Sequence, residues 1–150
     1  MFFSRRTNAE TLRRLLVVED DPLVAFDHEY DLSGAGYDVI ATVNCGEAAV
    51  AALAEFMIDA VILDLNIEGD ISGADVARLA YDRGILVLLV SGDAPGGVAS
   101  FIAGYLAKPL ANGAVVAALR ALEAVHYRSE TPRRVAGMTL FPDQGQTATG

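Results

Sequence analysis

Leu15-Leu16-Val17-Val18-Glu19-Asp20-Asp21-Pro22 passes abruptly from an unbroken aliphatic run to three acids and a proline. An apolar run this short, flanked by polar residues, reads as a strand covered on both faces, the habit of a parallel sheet. Asp21-Pro22 then starts a helix, because an aspartate can accept from the free N–H groups of the first turn and proline has no N–H to lose there. The acids therefore stand at the carboxyl end of a strand. The same punctuation recurs three times: Ala60-Val61-Ile62-Leu63 stops at Asp64, Ile85 to Val90 stops at Ser91, and Tyr105-Leu106-Ala107 stops at Lys108-Pro109. Parallel strands point one way, so these polar groups share one edge, where open α/β sheets bind their ligands.

Helical spacing fills the intervals. Leu23, Phe26, Tyr30 and Leu32 are expected to face inward from the first helix, which Gly34 and Gly36 end. Tyr37 to Ala41 alternates as a strand near a sheet edge. A second helix is expected over 46–56 with Val50 and Leu53 inward, and a third over 74–83 with Val76, Leu79 and Ala80 inward, closed by Gly84. Residues 65–73 between strand and helix carry two glycines and no period. After Ser91 a loop leaves only Val98 to Ala103 for a helix, two turns at most. Asn112 is expected to cap the last helix, which runs to about His126 with Val115, Val116, Leu119, Leu122 and Val125 at helical spacing. Repeated βα units imply right-handed crossovers and a doubly wound α/β fold. The expected organisation is a flexible arm over 1–12, one folded domain over 13–126 and a flexible tail over 127–150, which lacks periodicity.

Bulk properties narrow the function. With 150 residues, 53% of them hydrophobic, the chain has material for one core. A formal charge of −9 with no basic stripe repels a phosphate backbone, so direct nucleic-acid binding is not expected. Cys45 is alone, which excludes an intramolecular disulfide and a CxxC motif. No run has the length of a membrane span or the form of a signal peptide, and the expected location is cytoplasmic.

Glu19, Asp20 and Asp64 come together if the first and third strands are neighbours. Two like charges about 4 Å apart repel by roughly 4 kcal/mol at an effective dielectric near 20, so such a group needs compensation. Any one of the three acids after the first strand could serve only a helix N-terminus. The set with Asp64 and Lys108 points instead to a divalent cation, and all-oxygen ligands favour a hard ion such as Mg2+ with phosphate oxygens. A carboxylate can also accept a phosphoryl group as an aspartyl phosphate. Asp64, alone at the end of a central strand, is the natural acceptor. Lys108, the chain's only lysine, would pair with one phosphoryl oxygen, Ser91 would donate to another, and Glu19 and Asp20 would hold the metal. His28 and His126 have no His or Cys partner at ligand spacing and read as core or surface residues, while Glu68 and Asp70 read as loop solvation.

Leu16 to Pro22, Ile62-Leu63-Asp64-Leu65-Asn66, Leu89-Val90-Ser91-Gly92 and Gly104 to Pro109 together resemble the four signatures of the CheY-like receiver domain of two-component response regulators, in order, over about 13–126. The resemblance implies a flavodoxin-like five-stranded sheet of order 2-1-3-4-5. It implies Asp64 as phosphoacceptor, Mg2+ on Glu19, Asp20, Asp64 and the backbone carbonyl of Asn66, and Ser91 and Lys108 as phosphoryl sensors. Tyr105 matches the aromatic switch position, and Asn66 and Asp93 match positions that tune dephosphorylation. The implied partners are a sensor histidine kinase or histidine phosphotransfer protein upstream and an unidentified protein target downstream. The shortened fourth helix departs from the pattern and resembles the single-domain FATGUY receivers, although Ser91-Gly92-Asp93 stands where that group has Thr-Gly-Tyr. The expected function is that of a stand-alone phosphoacceptor regulator, with a phosphoryl sink or shuttle as the alternative. Two rivals are weaker: a haloacid-dehalogenase-like phosphohydrolase wants an acid where Asn66 stands, and a binding module that is never phosphorylated has no need of the intact acids, Ser91 and Lys108.

Overall fold

In the computed structural model, which describes residues 11–141, each apolar run is a strand: β1 (Arg14–Val18), β2 (Asp38–Val43), β3 (Ala60–Asp64), β4 (Leu86–Ser91) and β5 (Gly104–Ala107). The connections are α1 (Pro22–Gly34), α2 (Gly46–Glu55), α3 (Gly73–Asp82) and a short 3-10 helix (Gly96–Phe101), with α4 (Ala114–Tyr127) and a sixth strand, β6 (Met138–Leu140), after β5. The spatial order is β2-β1-β3-β4-β5-β6. The first five strands are parallel and in the expected order, while β6 runs antiparallel to β5.

Side chains alternate between two apolar layers. Leu15, Val17, Ile62, Leu88 and Val90 point to the face covered by α1 and α4, where Leu32, Ala118, Leu119 and Leu122 are buried. Leu16, Val18, Val61, Leu63, Val87 and Leu89 point to the opposite face, under Ala49, Leu53, Val76, Ala77 and Ala80 of α2 and α3. Strands buried on both faces have no polar side to display, which is why they read as continuous aliphatic runs. Burial of each such side chain contributes about 1.5–3 kcal/mol.

The face of α1 is a correction to the sequence reading. Leu23, Phe26 and Tyr30 are 77%, 62% and 72% exposed; of the expected inner set only Leu32 is buried, together with Ala25 and His28. Both triads have helical spacing, so periodicity alone does not fix the phase. The short link from β1 through Asp21, whose Oδ1 accepts from the Leu23 N–H at 3.0 Å, sets the helix rotation. The turn presents the small Ala25 to the sheet and leaves Phe26 and Tyr30 stacked on each other in solvent, ring centroids 6.3 Å apart.

Two further expectations change. Gly113, in a left-handed conformation with φ 75°, is the N-cap of α4 in place of Asn112, and no side chain caps that end. The sheet has six strands rather than five, because part of the segment expected to be a flexible tail pairs with β5 through Gly104↔Leu140, Tyr105↔Thr139 and Leu106↔Met138. Met138 and Leu140 pack on one layer and Phe141 on the other, so β6 satisfies an edge that would otherwise present open hydrogen-bonding groups. Residues 142–150 of that expected tail lie outside the described residues, as do 1–10 of the expected arm. Leu12, from the same arm, is buried, and its N–H donates to Glu123 Oε2 at 3.1 Å.

Candidate metal centre at the carboxyl edge of the sheet

From β1 the chain crosses first to β2 on one side and then to β3 on the other, so the carboxyl ends of β1 and β3 form the topological switch point. Register does the rest. Val18 pairs with Leu63, which sets the next residues, Glu19 and Asp64, side by side. Asp64 pairs with Val90, so Ser91 stands one residue further on, and Ser91 pairs with Ala107, the residue before Lys108. Glu19, Asp64 and Ser91 are buried at 3%, 7% and 0% exposure.

One carboxylate oxygen from each of Glu19, Asp20 and Asp64 lies within 4.8 Å of the others, an all-oxygen donor set suited to a hard cation. Lys108 Nζ lies 3.3 Å from Asp64 Oδ2 and 3.8 Å from Glu19 Oε1. Its peptide bond to Pro109 is cis. Backbone N–H groups hold the acids in place: Asn66 donates to Asp64 Oδ1 at 3.0 Å and Asp21 to Glu19 Oε2 at 3.1 Å. The Asp93 N–H donates to Ser91 Oγ at 3.1 Å, which leaves the hydroxyl proton available to another acceptor. The Tyr105 hydroxyl donates to the Ser91 carbonyl at 3.3 Å, and the Lys108 N–H donates to the same oxygen at 2.9 Å. Seven of the eight residues singled out from the sequence thus belong to the strand ends or loops of one edge, with Asn66 and Asp93 exposed beside it, and Tyr105, inside β5, reaches that edge through its hydroxyl on the Ser91 carbonyl.

Burial pushes the Glu19 carboxyl up to about 7, with the charge of Asp64 adding to the effect and the Asp21 N–H and the Lys108 ammonium opposing it. A carboxyl raised from 4.5 to about 7 holds its proton more tightly folded than unfolded, so its contribution to stability is complete below about pH 4.5 and is lost as pH rises through 7. The full loss is on the order of 3 kcal/mol. Calorimetry in EDTA should therefore show the melting temperature falling between pH 5 and 8, and Glu19→Gln should flatten that fall. The same proton must leave before Glu19 can bind a cation, so divalent-cation affinity should rise about tenfold between pH 6 and 8. On the α1 side, burial and, secondarily, the charge of Lys108 hold His28 below its ordinary value, which keeps its imidazole neutral at pH 7.

Known proteins similar to this chain point to one family. A family model for the response regulator receiver domain matches residues 15–120. The DNA-binding response regulator MtrA of Mycolicibacterium smegmatis is 35% identical over 119 residues, which cover 75% of this chain and 51% of that protein. The transcriptional regulatory protein KdpE of Mycobacterium tuberculosis is 36% identical over 115 residues, covering 71% and 49%. The chain spans about half the length of these curated relatives. The response regulator TrrA of Thermotoga maritima, solved in complex with Mg2+ and BeF, has a TM-score of 0.62 at 25% identity over 70% of this chain and 93% of that one. A CheY-like receiver domain protein from Methanospirillum hungatei shares the fold, with a TM-score of 0.61 at 22% identity over 71% and 89%. Receiver domains are phosphoacceptor signalling domains that bind Mg2+ at an acidic pocket and interact with histidine kinases or phosphotransfer proteins. Among the described residues, no helix is long and apolar enough to cross a membrane. With its receiver signature over 15–120 and its acids gathered at the switch point of a flavodoxin-like sheet, this chain belongs to the response regulator receiver domain family.

Proposed function

We propose that Asp64 accepts a phosphoryl group from a phosphohistidine on a sensor histidine kinase or histidine phosphotransfer protein, with Mg2+ held by Glu19, Asp20, Asp64 and the backbone carbonyl of Asn66. The supporting observation is the cluster itself, three carboxylates within 4.8 Å with Lys108 at 3.3 Å from Asp64. Bound Mg2+ supplies the positive charge that lets an anionic phosphoryl group approach an anionic acceptor. A carboxylate oxygen of Asp64 bonds to phosphorus as the P–N bond to the donor imidazole breaks, and the imidazole keeps the electron pair and takes up a proton. Lys108 then pairs with one phosphoryl oxygen and Ser91 donates to another.

The signal leaves as a change in binding to a protein target. Lys108 and Tyr105 both bond the Ser91 carbonyl, so an anion that draws Ser91 and Lys108 toward Asp64 acts on β5 and on the Tyr105 ring. Asn66 and Asp93 flank the approach of water to the acyl phosphate and set the rate of self-dephosphorylation. The formal charge of −9 argues against direct contact with nucleic acid. The 3-10 helix at Gly96–Phe101 favours a second reading, a phosphoryl sink or shuttle, because so short a connection leaves little of a helical output surface.

Incubation with acetyl phosphate or phosphoramidate and Mg2+ should add the mass of one phosphoryl group, and EDTA should prevent it. A wild-type protein that stays unmodified with both donors and with a phosphohistidine protein would overturn the proposal. Repeated turnover of free phosphomonoesters would make it a hydrolase.

A further inference from the structure

We propose that Glu47 is a positioning residue for the metal and phosphoryl site: its carboxylate clamps the loop between β3 and α3 and so fixes where the Asn66 carbonyl stands. The inference rests on the metal ligands proposed above. Residues 65–72 follow directly from Asp64, and most of them are exposed. A loop of that kind, left alone, has no reason to hold one conformation. Here it is laid against the start of α2. Glu47 Oε2 accepts from the Asp70 N–H at 2.9 Å and from the Ile71 N–H at 3.1 Å, two charge-assisted bonds from one side chain. Cys45 and Glu68 form a parallel bridge beside them.

Glycines mark how closely these parts approach. Gly69 has φ +107°, and a Cβ on it would collide with Glu47 Oε1. A Cβ on Gly46 would fall on the Ile71 carbonyl, and one on Gly73 would meet the Leu65 carbonyl. The loop is thus tied at its far end to α2 by Glu47 and at its near end to the acceptor by the Asn66 N–H on Asp64 Oδ1. Its exit is fixed as well, by the reciprocal bonds of Ser72 and Asp75 at the start of α3. Between these ties lies the carbonyl of Asn66. Mg2+ tolerates little departure from octahedral geometry, so a carbonyl on a loose loop is a weaker ligand than one on a pinned loop. Backbone N–H groups, its own among them, hold the Glu47 carboxyl below its usual range, and the clamp stays ionised across neutral pH.

The test compares wild type, Glu47→Gln and Glu47→Ala in the full chain. Hydrogen exchange in EDTA reads the clamp, MgCl2 titration by calorimetry reads the metal ligand, and acetyl phosphate labelling reads the chemistry. Glu47→Ala should speed exchange at Asp70 and Ile71, weaken Mg2+ binding about tenfold and slow labelling to a similar degree, while the metal-free melting temperature stays near that of wild type. Glu47→Gln keeps one carbonyl acceptor and should recover much of the Mg2+ affinity. If wild type binds Mg2+ and both variants bind it equally well, the clamp is overturned and the acceptor assignment stands. A melting temperature that falls in step with the affinity makes Glu47 merely structural and also overturns the inference. Wild type without Mg2+ affinity overturns the metal assignment, and the clamp with it.

Discussion

Asp64→Asn should gain no phosphoryl mass under conditions that label wild type to near one group per chain, a loss of at least about a hundredfold by intact-mass spectrometry. The substitution keeps the shape of the side chain and its Oδ1 acceptor for the Asn66 N–H, so the loop and strand register survive. What it removes is the anionic oxygen that bonds to phosphorus. It also removes a like charge from beside Glu19, which lowers the Glu19 carboxyl toward its ordinary value. The variant should therefore be at least as stable as wild type at pH 7.5 in EDTA, a check that lost labelling reflects chemistry and not unfolding. Labelling of Asp64→Asn at the wild-type level would mean that another residue is the acceptor.

Lys108→Ala should separate cation binding from phosphoryl sensing. The ammonium lies within 4 Å of both Asp64 and Glu19, where an attraction between unit charges is about 4 kcal/mol at an effective dielectric near 20. Without it the two acids repel with less relief, and the Glu19 proton is held more tightly still. Compared at a pH high enough to ionise Glu19 in both proteins, Mg2+ should bind about tenfold more tightly to the variant because no fixed cation competes for the oxygens. Phosphoryl transfer should nevertheless slow by about tenfold or more, since one equatorial oxygen loses its partner. Beryllofluoride should no longer perturb the Tyr105 ring, read by NMR against wild type. A variant that binds Mg2+ and responds to beryllofluoride as wild type does would make Lys108 a bystander.

The site was more legible in the sequence than the surfaces around it. Each of Glu19, Asp64, Ser91 and Lys108 comes directly after an apolar run, and the one-way direction of a parallel sheet brings strand ends together. Glu47 gave no comparable signal. An acid in the first turn of a helix reads as a favourable partner for the helix dipole, and its actual partners are the N–H groups of Asp70 and Ile71, supplied by another loop. Periodicity does not choose the buried face of α1, because Leu23-Phe26-Tyr30 and Ala25-His28-Leu32 are equally periodic. The β6 strand has no local signal, because Met138–Leu140 is too short to show alternation and its pairing with β5 is a long-range contact.

The βα alternation, the first five strands and the polar residues that end them are written in local apolar runs and their punctuation. Which side of α1 is covered, which segment closes the β5 edge and what holds the loop after Asp64 emerge from packing between distant parts of the chain. Those outcomes depend on helix rotation, strand register and side chains meeting across long stretches of chain, quantities that no local pattern contains.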